Sequence, residues 1–189
     1  MDAAARHRAL LDRDAAALVV VDVQEVYRPA LHGFDDMAHA IATLVAGAGI
    51  LGLPVLVTEQ YVKGLGRTVA EVAERLPAGA VRFEKMALSA CGAPGFMAAL
   101  TGTGRRQVIL TGLETHACVS QSAHDLVAAG YQVHVPRDAT SSRHAADVAV
   151  AWEKMRAAGV LPGSTESVLL ELVRTAESPD FKAVQRLIR

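Results

Sequence analysis

The run Ala17-Leu18-Val19-Val20-Val21 closes on an acid, Asp22. A strand with one face in water alternates apolar and polar residues. A run that is apolar at nearly every position belongs instead to a strand buried on both faces, the setting of a parallel sheet. Three further runs have this character, residues 54–58 (PVLVT), 107–111 (QVILT) and 132–135 (QVHV), and a shorter strand-like piece covers 81–86 (VRFEKM). Between them lie helical periodicities. Over 36–51 the apolar residues Met37, Ile41, Leu44, Val45 and Ala48 recur at helical spacing, with Gly52 and Pro54 as stop signals. Helices are predicted as well over 117–129, 143–158, 164–174 and 180–188. The third of these opens on Ser164-x-x-Ser167, a capping-box spacing that lacks the usual Glu.

Strands and helices in alternation predict an α/β fold: a mainly parallel, Rossmann-like sheet with helices on both faces, a three-layer α/β/α sandwich. Residues 1–189 read as a single domain, with a core over about 15–175 and a C-terminal helix over about 180–188. Of the 189 residues, 51% are hydrophobic and 21% charged, a balance that excludes a disordered chain. The formal net charge is -1, there is no basic run and aromatics are few, so nucleic acid is not an expected partner. No stretch approaches the roughly 20 apolar residues of a membrane span. The N-terminal residues, with Asp2, Asp12 and Asp14, lack the layout of a secretory signal. A cytoplasmic protein away from membranes is the expectation.

In parallel α/β sheets ligands bind beyond the carboxyl ends of the strands. Asp22 ends the first strand, Lys85 lies in the strand-like piece, and Cys118 follows the run that ends at Gly112. Taken singly, each has a plain reading: a turn acid, a snorkelling lysine, a small packed cysteine. Together they put an acid, an ammonium and a thiol at one edge of one sheet, the makings of a nucleophilic site. A place in the first turn of a helix, beside an ammonium, predicts a Cys118 thiol shifted toward the thiolate. Other chemistries find no footing. There is no GxGxxG after the first strand, no GxxxxGK[ST], no GxSxG and no CxxC. His116 and His124 do not form a zinc-ligand spacing, and His134, inside a strand, reads as a satisfied core histidine. Cys91 reads as a small packed or loop residue.

Three segments then carry a resemblance: Val19-Val20-Val21-Asp22-Val23-Gln24, Phe83-Glu84-Lys85, and Gly112-Leu113-Glu114-Thr115-His116-Ala117-Cys118-Val119. In order and placement they resemble the isochorismatase-like cysteine hydrolases. Thr58-Glu59-Gln60-Tyr61, Gly64-Leu65-Gly66 and Arg137-Asp138-Ala139-Thr140-Ser141-Ser142-Arg143 resemble the branch of isochorismatase domain-containing proteins. The resemblance implies a six-stranded sheet, a catalytic triad of Asp22, Lys85 and Cys118, and amidase chemistry through a thioester. It also implies a cis peptide at Leu113–Glu114. That bond would turn the Glu114 N–H toward the site, where it forms an oxyanion hole with the Cys118 N–H. Gln24, Tyr27 and Tyr61, with Glu114, are pocket candidates from strand-end position and resemblance. Nicotinamidases of the superfamily hold a metal through an Asp-x-His pair and a further histidine after the second strand. Here that region reads Thr58-Glu59-Gln60-Tyr61-Val62-Lys63, so neither metal nor any other cofactor is expected. Isochorismatases proper lack the cysteine, so isochorismate is not the expected substrate. The expected activity is hydrolysis of a small amide or related acyl compound, acting on non-peptide C–N bonds. A catalytically silent binding or scaffold subunit and a thiol redox sensor remain open beside it. A homo-oligomer, dimer or tetramer, is expected from the Ala- and Leu-rich helices and from the resemblance.

Overall fold

Strand β1 (Ala16–Val21) is buried at every position, as its unbroken apolar run requires. Its side chains divide between two cores. Ala16, Leu18 and Val20 pack on one face of the sheet and Ala17, Val19 and Val21 on the other. The computed structural model describes residues 6–31 and 33–189, so the first five residues of the expected domain lie outside the described residues. Helix α1 (Phe34–Leu51) lays Met37, Ile41, Leu44, Val45 and Ala48 on the first core and ends on Gly52 in the left-handed conformation. It is long and apolar enough to cross a membrane by length and composition, yet 61% of it is buried inside the fold, as a core helix requires. Strand β2 (Val55–Gln60) follows, then two single-turn helices, α2 (Val62–Leu65) and α3 (Ala70–Ala73), then β3 (Val81–Lys85) and α4 (Phe96–Gly102).

Strand β4 (Gln107–Leu113) runs into a π-helical turn, Thr115–Val119, that continues as α5 (Ser120–Ala128). Then come β5 (Gln132–Pro136), β6 (Thr140–Ser141), α6 (Ala145–Ala157), β7 (Leu161–Gly163), α7 (Thr165–Val173) and α8 (Phe181–Gln185). The sheet order is β3-β2-β1-β4-β5-β7, with every pair parallel, and β6 pairs beside β4. The path thus has the six strands expected, and the two-residue β6 makes a seventh. The capping box at Ser164 is formed with Ser167 in place of Glu: the Ser167 N–H donates to Ser164 Oγ, and the Ser164 N–H to Ser167 Oγ. The last helix is shorter than expected, and the single-turn helices and α4 carry no sequence periodicity long enough to read.

The chain leaves β1 toward β2 on one side and returns to β4 on the other, so strand order reverses between β1 and β4. Gly112 marks the place. Its φ is +116°, and a Cβ there would lie 2.0 Å from the Val21 carbonyl oxygen, so only glycine lets β4 come this close to the end of β1. The crevice of a doubly wound sheet opens at such a reversal.

Candidate active site

Asp22, Lys85 and Cys118 meet in this crevice, and all three are buried, at 1%, 3% and 8% exposure. Asp22 stands one residue past β1 with φ +55°, a left-handed conformation that Asp and Asn tolerate better than other side chains. Its N–H donates to the Thr58 carbonyl, and its Oδ1 accepts from the Thr58 hydroxyl at 2.8 Å. Lys85 closes β3, two strands away, and reaches across the end of β2. Its Nζ lies 2.7 Å from Asp22 Oδ2. That contact pairs the two buried charges at hydrogen-bond distance. The Lys85 Nζ also donates to Gln60 Oε1 at 2.6 Å, the Leu88 carbonyl at 2.9 Å and the Ala87 carbonyl at 3.0 Å.

Cys118 comes from the π-helical turn after β4, an irregularity often found at functional sites. Its thiol is within hydrogen-bonding reach of the Asp22 carboxylate. The ionisation runs against the expectation of a lowered thiol. Burial, joined by the Asp22 charge, pushes Cys118 up to about 12, and the Lys85 ammonium only partly opposes this. Burial also raises Asp22, against the pull of Lys85, Thr58 and the thiol. The raised thiol is therefore protonated at neutral pH, beside the Asp22–Lys85 pair.

A second expectation is corrected by the backbone. No peptide bond among the described residues is cis, so Leu113–Glu114 is trans. The trans form is lower in energy by about 3–4 kcal/mol for a non-proline bond. The redirection out of β4 is made one residue earlier, by Gly112. Glu114 is then no longer aimed by a cis bond as an oxyanion donor. Its side chain instead receives Arg143: Nε donates to Oε1 at 2.9 Å and Nη2 to Oε2 at 3.3 Å, which holds the Glu114 carboxyl below its usual range despite burial.

The pocket candidates separate. Tyr27 is half-buried at the mouth, where burial and the charges of Cys118, Asp22 and Glu114 raise its phenol. Gln24 is fully buried and saturated: Nε2 donates to the Gln60 and Gly66 carbonyls and Oε1 accepts from the Gln60 N–H, so it clamps the loop after β2. Tyr61, half-exposed over Gly64, lines a cleft of about 470 Å³ with Lys85, Met86, Ala87 and Pro94, on the β3 side of the site. Gln60 and the Glu114–Arg143 pair were missed from sequence. The one available signal for Gln60 was its place at the end of the second strand. Cys91 is half-buried in a turn at Ala90–Gly92, and burial raises its thiol as well.

The donors after β2 do not fit a metal. Glu59 is buried and accepts from the Thr68 N–H and hydroxyl and from Arg67 Nη1, while Gln60 is taken up by Gln24 and Lys85. Among the described residues no three His, Cys, Asp or Glu side chains form a group that would hold a metal ion.

The isochorismatase domain family matches residues 16–167. The chain is 44% identical over 169 residues to isochorismatase domain-containing protein 1 of Danio rerio, covering 89% of this chain and 59% of that relative's length. It is 39% identical over 181 residues to isochorismatase domain-containing protein 2 of the same organism, covering 94% of this chain and 89% of that relative. Among solved structures, one described as the MAR1 ribonuclease of Caenorhabditis elegans superposes with a TM-score of 0.91 at 37% identity, over 95% of this chain and 92% of that one. YcaC of Escherichia coli, described as an octameric hydrolase of unknown specificity, superposes with a TM-score of 0.89 at 25% identity, over 97% and 91% of the two chains. With the strand order, the crevice and the three buried residues in place, the chain belongs to the isochorismatase-like hydrolase family.

Proposed function

We propose that this protein is a metal-independent cysteine hydrolase that cleaves a small amide or related acyl substrate through a thioester on Cys118. One observation carries the reading: the buried Asp22 carboxylate lies within reach of a thiol and beside an ammonium. A buried carboxylate whose pKa is raised is a stronger base than a free aspartate. Asp22 takes the thiol proton as sulfur attacks the carbonyl carbon. The S–C bond forms, and the carbonyl π pair moves to oxygen. The Lys85 ammonium stabilises the negative charge as it passes from carboxylate to sulfur, which replaces the lowered resting thiol first expected. The tetrahedral oxygen takes the backbone N–H of Cys118 as its donor, one donor where two were expected. Collapse breaks the C–N bond, and Asp22 returns its proton to the leaving amine. Water then attacks the thioester, gives its proton to Asp22, and the departing sulfur takes that proton back.

The E. coli neighbour's description as a hydrolase of unknown specificity is compatible with this reading and leaves the substrate unnamed. The ribonuclease in the worm protein's name is not carried over, because a net charge of -1 and few aromatics give RNA little to bind. A panel of small aliphatic and aromatic amides, followed by ammonia release, tests the proposal. Turnover that survives exhaustive chelation and is lost in Cys118→Ser supports it. Turnover that needs added zinc or iron, or that persists in Cys118→Ser, overturns it. A second reading, a catalytically silent member, is favoured by the burial that raises the Cys118 thiol. It predicts no ammonia from any amide.

A further inference from the structure

Lys85 has three N–H bonds and four oxygens around it. Gln60 Oε1, the Ala87 carbonyl and the Leu88 carbonyl accept from it at 2.6, 3.0 and 2.9 Å. Asp22 Oδ2, at 2.7 Å, is the fourth oxygen, so four acceptors compete for three protons. If any of the three acceptors were missing, the proton released would find Asp22 Oδ2 already within hydrogen-bond distance. The two carbonyls belong to the turn after β3 and no side-chain change removes them. Gln60 is the one acceptor supplied by a side chain.

Gln60 is held unusually firmly for that task. Its Nε2 donates to the Met86 carbonyl at 3.0 Å, which can only accept, and its Oε1 faces Lys85, which can only donate, so the amide has one orientation. Its backbone N–H and carbonyl are both taken by the buried amide of Gln24, each at 2.9 Å. Gln60 and Lys85 are register partners at the ends of β2 and β3. A chain of fixed amides thus runs from Gln24 through Gln60 to the ammonium and ends at the carboxylate.

We propose that Gln60 is a positioning residue of this site: by taking one Lys85 proton, it weakens the ammonium's hold on Asp22 and keeps the carboxylate able to take the proton of Cys118. The role rests on the proposed hydrolase reading, in which Asp22 is the base. Gln60 touches neither thiol nor substrate and acts only through Lys85.

The test needs no substrate. Iodoacetamide alkylates a thiol by forming an S–C bond and expelling iodide, and the thiol proton passes to Asp22, the same proton step as in acyl transfer. Alkylation of Cys118 is followed by peptide mass mapping from pH 5 to 10, with thermal melting as a check on folding. In the wild type the base-assisted route gives a plateau at pH values well below the ionisation of the thiol. Asp22→Asn removes the plateau and leaves only the alkaline limb. Gln60→Met, unbranched and without an acceptor, lowers the plateau about tenfold and moves its acid edge to lower pH, because Lys85 then donates more fully to Asp22. Gln60→Glu restores an acceptor for Lys85 and recovers at least half of the plateau. A folded Gln60→Met with the wild-type profile overturns the positioning role and leaves the hydrolase reading standing. Should Gln60→Met fail to fold, a folded Gln60→Glu without a plateau overturns it equally. A wild-type profile with no plateau overturns both.

Discussion

At the scale of single residues, the account rests on two opposite charges buried 2.7 Å apart. A buried pair is costly to break from one side, because the remaining charge keeps its desolvation penalty without its partner. Lys85→Met and Asp22→Asn should each lower stability by about 3 kcal/mol. The double variant should recover a large part of that loss, since neither charge is then stranded. Urea denaturation of the four proteins checks this, and losses that simply add would show that the two charges do not depend on each other. Asp22, Lys85 and Cys118 were legible in the sequence because each falls where a strand run stops or a helix starts. Gln60 was not, because its role comes from the register that sets it opposite Lys85, and no local pattern encodes a register between strands. The thiol was misread for a related reason. The ammonium and the helix start are visible in the sequence, while desolvation, the largest influence on Cys118, depends on everything packed around it.

Among elements, the central strands were the easiest to read, since β1, β2 and β4 are buried on both faces and each carries at least three consecutive apolar residues. Strand β7, Leu161–Gly163, was not legible: three residues with a central proline give no run, and it pairs only because β5 offers an edge. The π-helical turn at Thr115–Val119 also escaped, because a helical period cannot tell one extra residue in a turn from none. Strand β5 carries the one expectation that burial alone overturns. His134 is 4% exposed and its Nε2 has no partner, so it is buried but not satisfied. Desolvation lowers its pKa to about 4. An unfolded histidine titrates near 6.5. Below that pH the unfolded chain takes up a proton that the fold refuses, so stability present above pH 6.5 is lost as the pH falls toward 4. The loss amounts to about 3 kcal/mol at full extent. His134→Phe should flatten stability against pH over this window in urea titrations. A wild-type curve level from pH 6.5 to 4 would show that the imidazole is protonated in the fold.

For the whole molecule, the exposed apolar residues bear on assembly. Met86 is 72% exposed, Tyr61 49% and Leu88 48%, all near the end of β3 beside the 470 Å³ cleft, and Val150 on α6 is 58% exposed. Monomers rarely leave such clusters in water. From these exposed apolar residues a homo-oligomer of at least two 19.9 kDa chains is predicted by light scattering. A mass of one chain across micromolar concentrations would contradict it. The doubly wound architecture itself was legible from the alternation of runs and helices, because a parallel sheet admits few other layouts. The crevice was legible only as a location, since the closeness of β1 and β4 depends on Gly112 and its φ of +116°. The central claim is that Cys118 carries the acyl group during turnover. Its most direct test is intact-protein mass spectrometry of acid-quenched mixtures with amides that release ammonia. The account predicts a mass increase equal to the acyl group, mapped to Cys118, with Cys91 unmodified and no adduct in Asp22→Asn. Ammonia released at the wild-type rate by Cys118→Ser, with no adduct in either protein, would contradict it.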